Sequence, residues 1–523
     1  MKKILFLIIG TLLVLGLVLP GCGEPVVPED IIKIAVVGPM TDLQGQNHWD
    51  GATMAAEEIN AAGGIDVGGT MYDVELVKVE TKEATEGEDG TTGTANLQAV
   101  IDDVTFCVGG FRTEVVSVYR DVAMDAQTLF MNCGAATGSL QFSVVTDYAD
   151  YKYWFKSTPY NETFLVKSLL KMAGSIGAGV FKATLEAYDG ALDPNYKLSN
   201  AVGGKPRVEI LMENAAWCAG MVPAAQGYLP LYGFNVTGTT LVSPTASDIS
   251  GDLSTIEGRY PHIIFTAFSG SVGAVYSIQK NSLGIPALTL GINVPGQQLS
   301  HWANTGGACE GEIMLDTFPV GVNVTPLTHD WFDAFLSRFG RYPVYTAATY
   351  DSINAVVKAI DETNSLDSDV LVAWLEDPAN AYTEGTGTPT TGYYQMPAIE
   401  TTPGELYALN ETQVRTFYDL DSYEWAYVES QWGCGFLSGV QQPHIAHDTV
   451  YGPGYQTGTG SQWQEVEGAG VKVGIWPVQL LPPATPISTL KAYGLVDQYG
   501  NWNFEYPGTV DTYIDVTGFY PAP

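Results

Sequence analysis

The chain has 523 residues, 46% apolar and 15% charged, more than a single hydrophobic core commonly serves and too apolar for a disordered polypeptide. Two domains are therefore expected. Against 58 acidic residues stand only 23 lysines and arginines, and the formal charge of -35 repels phosphate backbones, which excludes nucleic acid as an expected partner.

The first segment runs Lys2-Lys3, an apolar stretch Ile4 to Leu19, then Leu19-Pro20-Gly21-Cys22, the three-part layout of a secretory signal. The stretch is shorter than the roughly 20 residues that cross a bilayer as a helix. It resembles a bacterial lipoprotein signal, apart from Pro20 where such signals carry a small or hydroxyl residue. That resemblance implies a lipidated Cys22 at the mature terminus and attachment to a membrane surface; the alternative is an uncleaved N-terminal anchor. Residues 23–30, with Pro25 and Pro28, read as a linker, and no later segment is long and apolar enough to span. The other cysteines, Cys107, Cys133, Cys218, Cys309 and Cys434, are odd in number and show no CxxC pair or zinc spacing, so no metal is expected. Cys107 and Cys133 fall in neighbouring candidate strands, either bridged or as two buried thiols.

Ile31 to Val37 is a near-continuous β-branched run, the pattern of a parallel strand covered on both faces, ended by Gly38-Pro39. A loop, Met40 to Trp49, leads to Ala52, Ala55, Ala56 and Ile59 at helical spacing, closed by Gly63-Gly64. Strands follow at Tyr72 to Glu80, Thr105 to Gly110 and Thr128 to Cys133, with helices between them and after Thr113. The third and fourth strands end in Gly109-Gly110-Phe111-Arg112-Thr113 and Gly134-Ala135-Ala136-Thr137-Gly138. Small residues at a strand's carboxyl end let a ligand approach backbone N–H groups, and the helix that follows presents its positive end. An anionic ligand group, such as a carboxylate, fits that pattern.

The stretches IKIAVVGPMTDLQG, GATMAAEEINAAGGI, VGGFRTE, LFMNCGAATGSL and TAATYDSINAVVKAI resemble the branched-chain amino acid (leucine/isoleucine/valine) substrate-binding family of ABC importers, a type 1 periplasmic-binding-protein fold. The resemblance extends from about Ile31 to Trp374, with weaker pieces to Pro477. It implies an α/β protein of two doubly wound parallel-sheet lobes with a hinge and a central cleft, plus an extended C-terminal strand and loop region. In order, the expected parts are the signal at 1–22, the linker at 23–30, lobe one at 31–157 with 318–395, lobe two at 158–317 with 396–480, and an extension at 481–523.

Beyond Thr158 a helix is expected from Asn161 to Ile176, then a polar, Gly-containing insertion from Phe181 to Lys205. Strands at Arg207 to Met212, Asn235 to Val242, His262 to Phe268 and Ala287 to Gly291 alternate with helices, the second doubly wound unit. Gly311 to Phe318 leads back toward lobe one and helices at Trp331 to Phe339, Thr346 to Asp361 and Asp367 to Leu375. The Gly-, Tyr- and Trp-rich remainder reads as short strands such as Gln413 to Leu420 and Val471 to Pro477, then a surface wrap.

By position, the resemblance implies ligand contacts from Phe111, Thr113, Ala135, Ala136 and Thr137 in lobe one, with Arg112 either pairing with a carboxylate or pointing outward. In lobe two it implies Trp217 and Phe268 as aromatic walls. Asn293 stands where amino-acid binders carry the acid that pairs with the ligand ammonium. Either another acid, for example Glu213, takes that part or the ligand has no ammonium. Trp49 is a further wall or lid candidate. The expected function is that of an extracytoplasmic, lipid-anchored solute-binding protein that delivers an amino acid, amide or aromatic carboxylate to an ABC permease. It needs no cofactor and performs no catalysis. A ligand-sensing receptor module and a surface hydrolase or adhesion protein are the alternatives. His444-Ile-Ala-His447-Asp448 lacks the helical HExxH context of a metal site and reads as packing or surface histidines, and no GxSxG or Walker lysine occurs.

Overall fold

The computed structural model describes residues 30–85, 87–159, 161–318, 320, 327–376, 380, 447, 459–466, 468–476 and 517–521. The signal with Cys22, nearly all of the linker, the strand expected at 413–420, the closing segment 449–455, Cys434, His444, Asp448 and most of the extension lie outside the described residues.

The first sheet holds β1 (Asp30–Gly38), β2 (Ile65–Val67), β3 (Thr70–Glu80), β4 (Phe106–Gly109), β5 (Leu129–Asn132) and β6 (Trp154–Lys156), in the order β2-β3-β1-β4-β5-β6. All pairs are parallel except the short β2–β3 hairpin, which the sequence reading missed. β1 is buried from Ile34 to Gly38 because helices cover both faces, as its unbroken apolar run requires. The second sheet holds β7 (Arg207–Glu213), β8 (Asn235–Val242), β9 (Ile263–Phe268), β10 (Leu288–Asn293), β11 (Ile313–Asp316), β12 (Thr459–Val466) and β13 (Ala469–Trp476), in the order β13-β12-β11-β10-β9-β7-β8. Its core is parallel, with β12 and β13 added antiparallel at one edge. In each sheet the chain reverses its winding direction at one strand, β1 or β7, and there the loops at the carboxyl ends diverge and leave a crevice.

Among the described residues the chain passes between the two units three times. β6 leads to helix Glu162–Met172, which packs on helix Ala216–Tyr228 of the second unit. After β11, helices Thr328–Phe339, Thr349–Thr363 and Ser368–Glu376 return to the first unit, where Thr349 Oγ1 donates to His48 O at 2.7 Å on helix Leu43–Ala61. β12 and β13 then rejoin the second sheet. Helix Leu43–Ala61 begins inside the stretch read as a loop. It buries polar Gln44, Asn47 and His48 as well as its alanines, because residues 344–349 lie directly against it.

Asn161 caps its helix by accepting from Thr163 N at 3.0 Å and Phe164 N at 3.3 Å. That helix does not stop at the expected insertion. It widens to a π-helical stretch at Ala173–Phe181 and continues as Lys182–Tyr188. Gly174 and Gly177 permit this: a Cβ on Gly174 would lie 2.5 Å from the Tyr232 ring, and one on Gly177 would lie 2.9 Å from Phe234. Contrary to the sequence reading, residues 162–188 are long and apolar enough to cross a membrane, but 71% of the apolar window is buried in protein.

The insertion and the chain's end share one core. Phe519 is fully buried, with ring centroids 4.8 Å from Tyr196, 5.9 Å from His262 and 6.3 Å from Phe181, and its carbonyl accepts from Asp193 N at 2.7 Å. The described part of the extension is thus anchored in the second unit rather than laid over its surface. Cys107, Cys133, Cys218 and Cys309 are free and buried, so Cys107 and Cys133 are the two-thiol alternative. We predict that Phe519→Ala lowers the unfolding free energy by about 3–5 kcal/mol. Urea denaturation followed by tryptophan fluorescence would measure it, and a change below about 1 kcal/mol would mean the docked end contributes little.

Candidate functional site

The carboxyl ends of both sheets face one cavity, partly open to solvent. Two close backbone approaches shape the first unit's side of it. Gly109 has φ 129°, and a Cβ there would meet Val37 O at 2.0 Å; a Cβ on Gly134 would meet Gly110 O at 1.8 Å. The loops after β4 and β5 can therefore press together only with glycine at these positions, and in doing so they carry Phe111, Thr113 and Ala136 to the cavity wall.

Helix Thr113–Asp125 starts at that wall. Val115 N and Val116 N donate to Arg112 O at 3.0 and 2.8 Å, which leaves the N–H groups of Thr113 and Glu114 outside the helical ladder at the positive end of the dipole. Thr113 Oγ1 and Thr137 Oγ1 are 2.7 Å apart. One hydroxyl hydrogen is used between them and the other is left for a ligand, so this end of the cavity suits an acceptor such as a carboxylate. Thr137 stands behind Thr113 rather than on the wall. Ala135 is buried beneath it, its N–H given to Asn132 Oδ1 at 3.0 Å and its carbonyl accepting from Asn132 Nδ2 at 2.8 Å. Arg112 does reach the wall, but its guanidinium is paired with Glu114 at 2.6 Å.

Beneath this loop lies Glu83, which sequence reasoning did not single out. It is fully buried and accepts from Arg112 N at 2.7 Å, Thr81 Oγ1 at 2.8 Å and Tyr119 Oη at 3.2 Å. Burial raises its pKa to about 7 against those stabilising hydrogen bonds.

Across the cavity, Trp217 lines the wall and donates from Nε1 to Glu213 Oε1 at 2.6 Å. Glu213, at the carboxyl end of β7, also accepts from Ser269 N at 2.9 Å, Gly270 N at 3.1 Å and the Ser269 hydroxyl. Burial raises its pKa, and its oxygens are committed to holding this wall together. Phe268 and Asn293 do not line the cavity. They are register partners on β9 and β10, and the two-residue period of a strand turns them away from the cavity that Ile292, Val294 and Ser269 face. Phe268 packs on Tyr276 with centroids 5.2 Å apart; Asn293 donates to Gly273 O at 3.2 Å. Trp49 also lies elsewhere, six residues into a helix that was expected to begin later, with the Lys78 ammonium 4.2 Å over its ring.

The other wall residues escaped sequence reasoning because they come together only through the crossovers. Thr158 and Tyr345 line the cavity and join each other, Thr158 Oγ1 donating to Tyr345 O at 3.2 Å. Asp316 lines it too, fully buried against Lys472 at 2.5 Å. A lone lysine in the alternating run Val471-Lys472-Val473 was the available signal for that pair. Gln44 Nε2 spans the gap between the units to Ser269 O at 2.9 Å. His48 sits 3.0 Å from both Gly110 O and Thr346 O, and burial lowers its pKa to about 4. His447 is a packing histidine, stacked 3.8 Å from Phe155 and 2.7 Å from Glu376. No group of three or more His, Cys, Asp or Glu residues placed to hold a metal occurs among the described residues.

The model of the periplasmic binding protein family matches residues 31–394. No curated protein matches the chain. Among solved structures, the branched-chain amino acid transporter substrate-binding protein LivJ of Streptococcus pneumoniae, in complex with isoleucine, has a TM-score of 0.56 at 15% identity, covering 86% of this chain and 100% of that one. A solute-binding protein of an ABC transporter from Rhodopseudomonas palustris, in complex with 3,4-dihydroxybenzoic acid, scores 0.57 at 16% identity over 85% of this chain and 96% of that one. An ABC transporter substrate-binding protein from Desulfitobacterium hafniense, in complex with leucine, scores 0.54 at 14% identity over 85% and 100%. At these identities the likeness establishes the fold.

Glu83 gives a pH dependence of known sign. Its folded pKa of about 7 exceeds the ordinary 4.5, so the folded state holds the proton more tightly than the unfolded chain. The contribution is fully present below about pH 4.5 and is lost as pH rises through about 7. We predict that Glu83→Gln removes about 3 kcal/mol of the decline in unfolding free energy between pH 4.5 and 8. Glu312, raised to about 7 by burial as well, accounts for a slope that remains in the variant. Urea titrations across that range test this, and an unchanged slope in the variant refutes it.

Proposed function

The chain belongs to the periplasmic binding protein family, and we propose that it captures a small organic ligand in the cavity between its two units and hands it, unchanged, to an ABC permease. The observation that carries this reading is the cavity itself, walled by loops at the carboxyl ends of both sheets, between units that the described chain crosses three times. Such crossings form a hinge, and ligand contacts from both sides make the closed state the one that binding favours. In this reading lobe one is 31–157 with 318–395 and lobe two is 158–317 with 396–480. Cys22 tethers the protein to the outer side of a membrane.

The ligand places an acceptor group, most simply a carboxylate, against Thr113 and the start of its helix. An apolar body lies against Trp217, Tyr345, Ile292 and Leu315. The two wall carboxylates, Glu114 and Asp316, are already neutralised by Arg112 and Lys472. An ammonium would therefore be desolvated without a free counter-charge, which supports an aromatic carboxylate or an amide over an aliphatic amino acid. The solved relatives that bind leucine, isoleucine and a dihydroxybenzoate define the panel to try.

We predict that one or more members of a panel of amino acids, benzoates and carboxamides raises the melting temperature of the protein. Thr113→Val should weaken the tightest ligand about tenfold through loss of one hydrogen bond, and Trp217→Ala about 30-fold or more through loss of a buried aromatic contact. Isothermal titration calorimetry measures both. Full affinity in both variants would remove the cavity from consideration.

A further inference from the structure

Gln44, the second residue of helix Leu43–Ala61 in the first unit, donates from Nε2 at 2.9 Å to the carbonyl of Ser269, which follows β9 in the second unit. A carbonyl can only accept, so this bond fixes which end of the amide is the nitrogen. Both ends of the bond are held by their own units. The Gln44 carbonyl accepts from Thr346 Oγ1 at 3.0 Å, and a Cβ on Gly45 would meet Pro39 O at 2.2 Å, so this backbone is packed tightly against the turn before it. On the other side, Ser269 N at 2.9 Å and Gly270 N at 3.1 Å both donate to Glu213 Oε2. Gly270 N and Ser269 O belong to one planar trans peptide, whose N–H and C=O point in opposite directions. Holding the N–H against Glu213 therefore turns the carbonyl away from Glu213, toward the side from which Gln44 reaches it, and each of the two bonds polarises the peptide in favour of the other. Ser269 lines the cavity; Gln44 is buried and does not.

Resting on the cavity reading above, we propose that Gln44 is a positioning residue for ligand capture: without touching the ligand it clasps the second unit through Ser269 O, holds the cavity shut and slows ligand release. The clasp joins segments 225 residues apart in the chain, one in each unit, so a rotation of the units that opens the cavity breaks it. It is also coupled to the wall. Glu213, which aims the Ser269 carbonyl, accepts from Trp217 Nε1 at 2.6 Å, and Trp217 and Ser269 both line the cavity. A ligand packed against Trp217 therefore bears on the same rigid group that presents the carbonyl to Gln44. Opening hands both partners of the bond to water. The clasp is then worth one neutral hydrogen bond, which changes the ratio of closed to open molecules by about three- to tenfold.

Two variants test this in the full mature protein. Gln44→Met keeps the side-chain volume and removes the donor, so a role in packing alone would leave it silent. Gln44→Glu sets a second acceptor against the Ser269 carbonyl. Stopped-flow fluorescence at pH 8 follows the dissociation of leucine, isoleucine, 3,4-dihydroxybenzoate, benzamide and any other panel member that binds. The expected result is that Gln44→Met raises every dissociation rate by the same factor, about three- to tenfold, with association rates kept within about twofold, and that Gln44→Glu raises them further. Unchanged dissociation in both variants overturns the clasp and leaves the cavity reading standing. A factor that differs more than about threefold from ligand to ligand also overturns it, because it marks direct contact with the ligand. If no panel member binds, the cavity reading fails and small-angle X-ray scattering of the protein alone decides the clasp: Gln44→Glu should enlarge the radius of gyration at pH 8, and an unchanged radius overturns it.

Discussion

The buried pair of Lys472 and Asp316 is the contact on which the second unit's side of the cavity depends. Both side chains are fully buried, and burial pulls the Lys472 pKa down against the stabilising pull of the carboxylate. Lys472 comes from β13 and Asp316 from the end of β11, with β12 between them in the sheet. The ammonium also holds the Gln297 carbonyl and lies 5.2 Å from the centre of the Tyr342 ring. One cation therefore ties the antiparallel edge of the sheet, the turn after β10 and the segment that leads into the first unit. Removing either partner alone would strand a charge in the interior, at a cost of about 3–5 kcal/mol. The same pairing keeps Asp316 from serving a ligand ammonium.

The first unit solves its side of the cavity with backbone rather than charge. Gly109 and Gly134 let adjacent segments close to distances that no Cβ tolerates, and the helix that begins at Thr113 starts on the wall of the space this leaves. Glu83 holds that loop from beneath by accepting from Arg112 N, much as Glu213 holds Trp217, Ser269 and Gly270 across the cavity. In both units a buried carboxylate near a strand's carboxyl end does not line the cavity but fixes the backbone that does.

Much of this was legible in the residues. The unbroken β-branched run of β1, the helical spacing of its successor and the small residues ending β4 and β5 each report a local requirement: burial on both faces, an apolar stripe, and room for close backbone approach. β1, β3 to β5 and β7 to β10 fell within a residue or two of expectation for that reason, whereas β2 and β12 were not anticipated, and Phe111, Arg112, Thr113, Ala136 and Trp217, which the family resemblance implied as contacts, line the cavity. Phe268 and Asn293 were misplaced because a one-residue offset at a strand end moves a side chain to the opposite face. Trp49 was misplaced because the helix start depends on residues 344–349 covering its polar first turns. That contact is about 300 residues away in sequence and leaves no local trace.

The sequence by itself determined the class of the fold, the alternation of strands and helices, and the position of ligand loops at strand ends, because periodicity and glycine placement are local consequences of backbone geometry. Only the tertiary structure decided which charges are free. Glu114, Asp316 and Glu213 read alike as acids in the chain, and each is committed to a partner brought to it by folding. The turn at Gly296 and Gln297, which reads as an ordinary turn, has its carbonyls held by Trp463 and Lys472, 167 and 175 residues later in the chain.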